Sequence, residues 1–105
     1  MALPVSRGEV WVTDLGMAAK VRPCLVLSVA PGPADRLLYT LVPHTTSLHG
    51  TAYEVAVPAL FLKPGAFDAQ GLVTVPRPRL IRRLGALAPA ELALVEDAVR
   101  AWLGL

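Results

Sequence analysis

Apolar and polar positions change period several times along this chain, and each change marks an element. Glu9-Val10-Trp11-Val12-Thr13-Asp14-Leu15 alternates and is rich in aromatic and β-branched residues, which predicts a strand. Arg7-Gly8 just before it suits a turn or bulge. Residues 16–21 form a short connection, and Pro23 opens a second strand at a position where a missing N–H is tolerated. Leu25-Val26-Leu27 is continuously apolar, which predicts burial on both faces. Ala30-Pro31-Gly32-Pro33-Ala34-Asp35-Arg36 is a turn by composition, and Leu37–Val42 follows as a hairpin partner. Residues 43–51 read as a polar loop and 52–57 as another alternating strand. Pro58 and Pro64-Gly65 bracket a less regular piece with Phe61 and Phe67, and residues 71–75 form one more strand, ended by Pro76 and Pro78.

The C-terminus changes to a helical period. After Pro89, a good first-turn residue, Leu92, Val95, Val99 and Trp102 recur on one face, with Leu94, Ala98 and Ala101 widening it. Acids come early and Arg100 late, as the helix dipole favours, and Gly104 is placed to stop the helix. Short strands followed by one helix predict a mainly β, α+β architecture: a small antiparallel sheet or partly open barrel with a C-terminal helix. There is no internal repeat.

At 105 residues the chain is expected to be one domain spanning residues 1–105. Apolar residues make up 54% and charged residues 17%, more apolar surface than a small globule can hide, so a subunit interface is expected. No apolar run approaches the roughly 20 residues of a membrane span, and the first residues lack a secretory pattern, so a soluble cytoplasmic protein is expected. The single cysteine, Cys24, excludes an internal disulfide and reads as a buried small hydrophobe; with only His44 and His49 beside it, no metal site or cofactor is expected. Net charge is +2, but Arg77, Arg79, Arg82 and Arg83 fall within seven positions with no acid between Asp68 and Glu91, a cluster able to steer a polyanion.

Two segments carry the candidate chemistry. Arg22 enters the second apolar strand, and Thr45-Thr46-Ser47 leave the third. If those strands pair, a fixed cation and a row of hydroxyls meet at one edge of the sheet, the minimum equipment for gripping a phosphate.

At these residues the chain resembles the MazF/PemK toxins of bacterial toxin–antitoxin pairs. The resemblance is distributed over residues 6–104: Arg7-Gly8-Glu9-Val10-Trp11, Arg22-Pro23 before an apolar strand ending in Ser28, Pro43-His44-Thr45-Thr46-Ser47, Gly50, Tyr53-Glu54-Val55, and Arg83-Leu84-Gly85 before the closing helix. It implies an SH3-like barrel of antiparallel strands that forms a homodimer. It also implies sequence-preferring, metal-independent cleavage of single-stranded RNA, by 2′-hydroxyl attack to a 2′,3′-cyclic phosphate and a 5′-hydroxyl, with a cognate antitoxin as blocking partner. Arg22 matches the family's catalytic arginine, and Thr45 its catalytic threonine when Pro43 and Gly50 align without a gap; the other register puts Thr46 there. His44, Ser47, His49 and the four clustered arginines are the candidates for holding RNA. Trp11, Tyr39 and Tyr53 could stack on bases but read better as core.

Two departures stand out. The connection before Arg22 is short and lacks an acid next to the Arg-Pro pair, and where the family often carries Asp before the segment matched by Leu72-Val73-Thr74-Val75, this chain has Gln70, with Asp68 two residues earlier. Two other readings share the fold: a protein-binding toxin acting on DNA gyrase as CcdB does, and a decayed toxin that folds and binds a partner without catalysis. The ending Ala101-Trp102-Leu103-Gly104-Leu105 speaks for the first, but Trp102 falls on the helix's apolar stripe.

Overall fold

The computed structural model describes residues 3–17 and 20–105. Seven strands among these residues form an antiparallel sheet: β1 (Glu9–Asp14), β2 (Val21–Val26), β3 (Leu38–Thr45), β4 (Glu54–Val55), β5 (Ala66–Asp68), β6 (Val73–Pro76) and β7 (Leu80–Ala86). Its order is β4-β5-β3-β2-β1-β7. One edge of β3 pairs with β2; the other is divided between β6, which takes Leu38–Leu41, and β5, which takes His44 and Thr45. The single α-helix among the described residues, α1 (Pro89–Leu103), closes the chain.

Alternation on these strands sorts the interior into two cores. Val10, Leu25, Val42 and Phe67 point to one face, where α1 covers them with Val95, Ala98 and Val99. Trp11, Cys24, Val26, Tyr39 and Leu41 point to the other, where the sheet curls over them and brings Val75 and Leu80 into the same cluster. Cys24 is fully buried in this second core, and burial pushes its thiol up to about 11, so it behaves as a small apolar side chain.

The helix stripe is narrower than its sequence. Val95 and Val99 are buried, each contributing about 1.5–3 kcal/mol of apolar transfer, while Leu94 is 55% exposed and Ala101 lies at the surface. Trp102 sits at the margin, edge-on to Tyr53 at 5.4 Å. The carboxylate of Glu91 accepts from the Ala88 N–H at 2.8 Å, and Gly104 ends the helix in the left-handed region at φ 72°. No helix among the described residues is long and apolar enough to cross a membrane.

β5 and β7 are strands where the sequence reading had none, and three other parts of the sheet differ from it. β3 runs on through Pro43, His44 and Thr45, which read as the start of a loop, because Cys24, Phe67 and Ala66 stand opposite them. The strand expected over 52–57 shrinks to Glu54–Val55, since the preceding loop folds onto the Glu54 carboxylate. Pro23 lies inside β2 rather than at its start; it pairs with Val12, and the β2–β3 ladder begins only at Cys24, so its missing N–H removes no rung there.

Candidate active site

The β2–β3 ladder runs from Val26 opposite Leu41 to Cys24 opposite Pro43, and Arg22 and Thr45 lie two residues beyond its last rung, at the rim where β2 begins and β3 ends. Neighbouring strands lie about 4.8 Å apart, which puts guanidinium and hydroxyl within reach of one phosphate. Both residues are half-buried.

Thr45 is held by its own loop. Its hydroxyl oxygen accepts from the Ser47 N–H at 3.0 Å, a turn that caps the end of β3. Among the described residues the hydroxyl proton then has the Ser47 carbonyl, at 3.5 Å, to point towards. An oxygen already used as acceptor with a weakly engaged proton is set up to donate to an incoming anion. Thr46, one residue on, is exposed.

Two grooves meet over this rim, one from each face of the sheet. The first is the open mouth of the second core, about 470 Å³, where Leu15 and Val73 form apolar walls and Glu54, Asp68 and His49 bring polar groups. The second lies on the helix-side face, about 490 Å³, with Phe61, Leu62 and His44 beneath Lys20, Lys63 and Arg82. Arg22, Thr45 and Ser47 line both. The grooves differ in charge: apart from Arg22, which lines both, the first carries two carboxylates, and the second three cations and, among its described lining residues, no acid.

The carboxylates are the residues that sequence reasoning missed. Glu54 accepts from the backbone N–H groups of His49 (2.9 Å) and Thr51 (3.0 Å), which hold its carboxyl below the usual 4.5 and make it a staple for the loop after Thr45. Asp68 stands opposite Glu54 in the β4–β5 ladder; one of its oxygens caps the Gln70 N–H at 3.0 Å. Gln70 itself is exposed and outside the groove. Neither acid had a sequence signal of its own: β4 and β5 are two and three residues long, and only their pairing brings Glu54 and Asp68 beside Thr45.

The remaining sequence candidates divide. His49 stands in the acidic groove, Thr46 in the basic one and Ser47 in both. His44 lines the basic groove from below: it is 4% exposed, edge-on to Phe67 at 5.1 Å, and its Nε2 has no hydrogen-bond partner. Burial lowers its pKa below 6.5 and keeps the ring neutral. Of the clustered arginines only Arg82 lines the groove. Arg77 lies over the Trp11 ring at 4.9 Å and donates to the carbonyls of Leu3 and Leu80, Arg79 approaches Asp14 at 3.8 Å, and Arg83 bridges to Glu9 at 2.8 Å.

The model of the PemK-like, MazF-like toxins of type II toxin–antitoxin systems matches residues 6–103 of the chain. The chain belongs to this toxin family. Solved structures of MazF-like toxins share its fold over nearly their whole length. An endoribonuclease from a mycobacterial species, solved in complex with its cognate antitoxin, superposes with a TM-score of 0.82 at 27% identity, covering 97% of both chains. The MazE–MazF complex from Deinococcus radiodurans gives 0.82 at 25% identity, with 99% of each chain covered. The Mycobacterium tuberculosis toxin MazF-mt6 gives 0.79 at 25% identity, covering 92% of this chain and 97% of that one. The mainly β architecture expected from the strand pattern is thus that of MazF-like toxins.

Proposed function

We propose that the chain is an endoribonuclease toxin that cuts single-stranded RNA without a metal, with preference for sequence, and is neutralised by a cognate antitoxin. The observation that supports this reading is that Arg22 and Thr45, just beyond the last rung of two adjacent strands, together line both grooves. RNA brings its own nucleophile. The 2′-oxygen forms a bond to phosphorus, the bond from phosphorus to the 5′-oxygen breaks, one proton leaves the 2′-hydroxyl and one reaches the departing oxygen. Arg22 and the Thr45 hydroxyl donate to the phosphate oxygens as charge builds on them. A guanidinium suits this because it stays charged and presents a planar fork. Lys20, Lys63 and Arg82 hold the flanking phosphates, with Thr46 and Ser47 at the margin and His49 on the opposite side. His44 supports the groove floor in its neutral form. The enzyme works as a homodimer, whose interface covers part of the exposed apolar surface.

The gyrase-binding alternative needs its C-terminal aromatic free for a partner; Trp102 touches Tyr53 edge-on and stays 43% exposed, so cleavage itself separates the two readings. The deciding experiment incubates the purified protein with end-labelled single-stranded RNA in EDTA, beside Arg22→Ala. Site-selective fragments with cyclic-phosphate ends are expected, reduced about 10²–10³-fold in the variant. No cleavage across a varied RNA pool sinks the nuclease reading.

A further inference from the structure

We infer that Asp68 reads the base next to the scissile phosphate, selecting bases that carry an exocyclic amino group and rejecting uracil. This deepens the nuclease reading and rests on it. Pro43, Thr45 and Asp68 share one face of the sheet, because Thr45 pairs with Ala66 and Asp68 lies two residues beyond on β5. That diagonal separation is about 7–8 Å. A nucleotide whose phosphate sits on Arg22 and Thr45 therefore places its base, one ribose away, over Pro43 and against the Asp68 carboxylate.

A carboxylate in a groove built for a polyanion repels the backbone, so its use lies with a part of the ligand that donates protons. Only one Asp68 oxygen is spent on the Gln70 N–H. Space is left around the other because Gly71 closes this side: a Cβ there would lie 3.3 Å from Asp68 Oδ2 and 3.1 Å from Pro43 Cγ. Glu54 is unsuited to the same task, since both its oxygens already accept from the loop. An ionised carboxylate only accepts. It therefore pairs with the amino group of cytosine or adenine, or with the two adjacent donors of guanine, and meets repulsion from the two carbonyls flanking the uracil N–H. The opposite charges of the two grooves give the strand one orientation across the rim, backbone on the Lys63 and Arg82 side and base on the Asp68 side.

The test uses single-stranded RNAs that differ only in the base flanking the cleaved phosphate, and matching oligonucleotides made uncleavable by 2′-deoxy substitution at that nucleotide. Wild type is compared with Asp68→Asn, which keeps the cap on Gln70 N–H and adds a donor. Wild type is expected to bind and cleave the amino-bearing series about tenfold or more better than uracil, with Asp68→Asn levelling or reversing that order. An unchanged base profile in the variant overturns the inference. Equal loss of cleavage for every base with unchanged binding preference also overturns it, because the carboxylate would then serve the chemistry. Should wild type cleave nothing, the nuclease reading fails by itself, and the uncleavable set still decides whether Asp68 selects a base.

Discussion

Gly65 holds the end of β3 in place by having no side chain. A Cβ built there would lie 2.2 Å from the Thr45 carbonyl oxygen, 3.1 Å from its carbon and 2.8 Å from His44 Cε1. The first two belong to the backbone of a strand pinned by β5 and cannot swing away. Gly85 offers a control: its Cβ would meet the Phe61 ring at 2.6 Å, a half-buried side chain in an irregular segment that can rotate. Overpacking costs about 1–3 kcal/mol, the upper end applying where the backbone must move, and Gly→Ala returns about 0.4–1 kcal/mol through the unfolded chain. Gly65→Ala should then lose about 2 kcal/mol net and Gly85→Ala less than about 1 kcal/mol. For a domain of this size that is a fall in Tm of about 10 °C for Gly65→Ala against about 4 °C or less for Gly85→Ala. Thermal unfolding of both variants measures it, and cleavage assayed well below either transition should fall only for Gly65→Ala, where Thr45 is displaced. A Gly65→Ala protein melting within about 2 °C of wild type, or a larger loss at Gly85, would refute the steric argument.

Three further predictions follow from the site. Thr45→Val should lower the cleavage rate about 10²-fold while Thr46→Val stays within about twofold, read from single-turnover rates at saturating protein; equal losses would deny Thr45 its special position. Lys63→Ala and Arg82→Ala should each flatten the slope of log binding constant against log salt by about 0.7, whereas Arg79→Ala, placed elsewhere, should leave it unchanged. His44 has a folded pKa below the ordinary 6.5, so the unfolded chain binds more protons and stability falls as pH drops below about 6.5, with no effect above it. Urea midpoints at pH about 7.5 and about 5.5 should differ for wild type and converge for His44→Leu. Glu9, where bonds from Ser6 N–H, Trp11 and Arg83 outweigh partial burial, and Glu54 both lie below 4.5, so their loss belongs to a separate window under that pH.

What the sequence showed of the fold depended on uninterrupted period. α1 and β1 were legible because Leu92–Val95–Val99 and Val10–Val12 repeat without a break. β7 was not legible as a strand. Its pairing with β1 slips between Val10 and Trp11 and again between Val12 and Thr13, and such bulges leave Arg82 and Arg83 both at the surface, erasing the alternation. β5 is three residues long, too short to carry a period at all. Arg22 and Thr45 were legible because each marks a polar change at the end of an apolar run. The use of the arginines was not, since the acid that takes Arg83 is Glu9, on a strand 74 positions away.

The position of the site follows from the same packing that hides it from sequence. From Cys24 to Val26 on β2 and at Leu41 and Val42 on β3 both faces are taken up by the cores, one under α1 and one under β6 and the start of β7, so the polar groups of this site cannot stand there. Only the strand ends remain. There Arg22 is half-buried rather than buried, which avoids the several kcal/mol that full desolvation of a guanidinium costs. An end also has two sides, and this one separates them by charge. Lys20, Lys63 and Arg82 face one way and Glu54 and Asp68 the other, with Arg22 and Thr45 on the crest between them. On the proposed function, a polyanion drawn to one side is turned so that its uncharged, hydrogen-bonding edge meets the other. Attraction, orientation and readout would then come from a single placement, the ends of two adjacent strands.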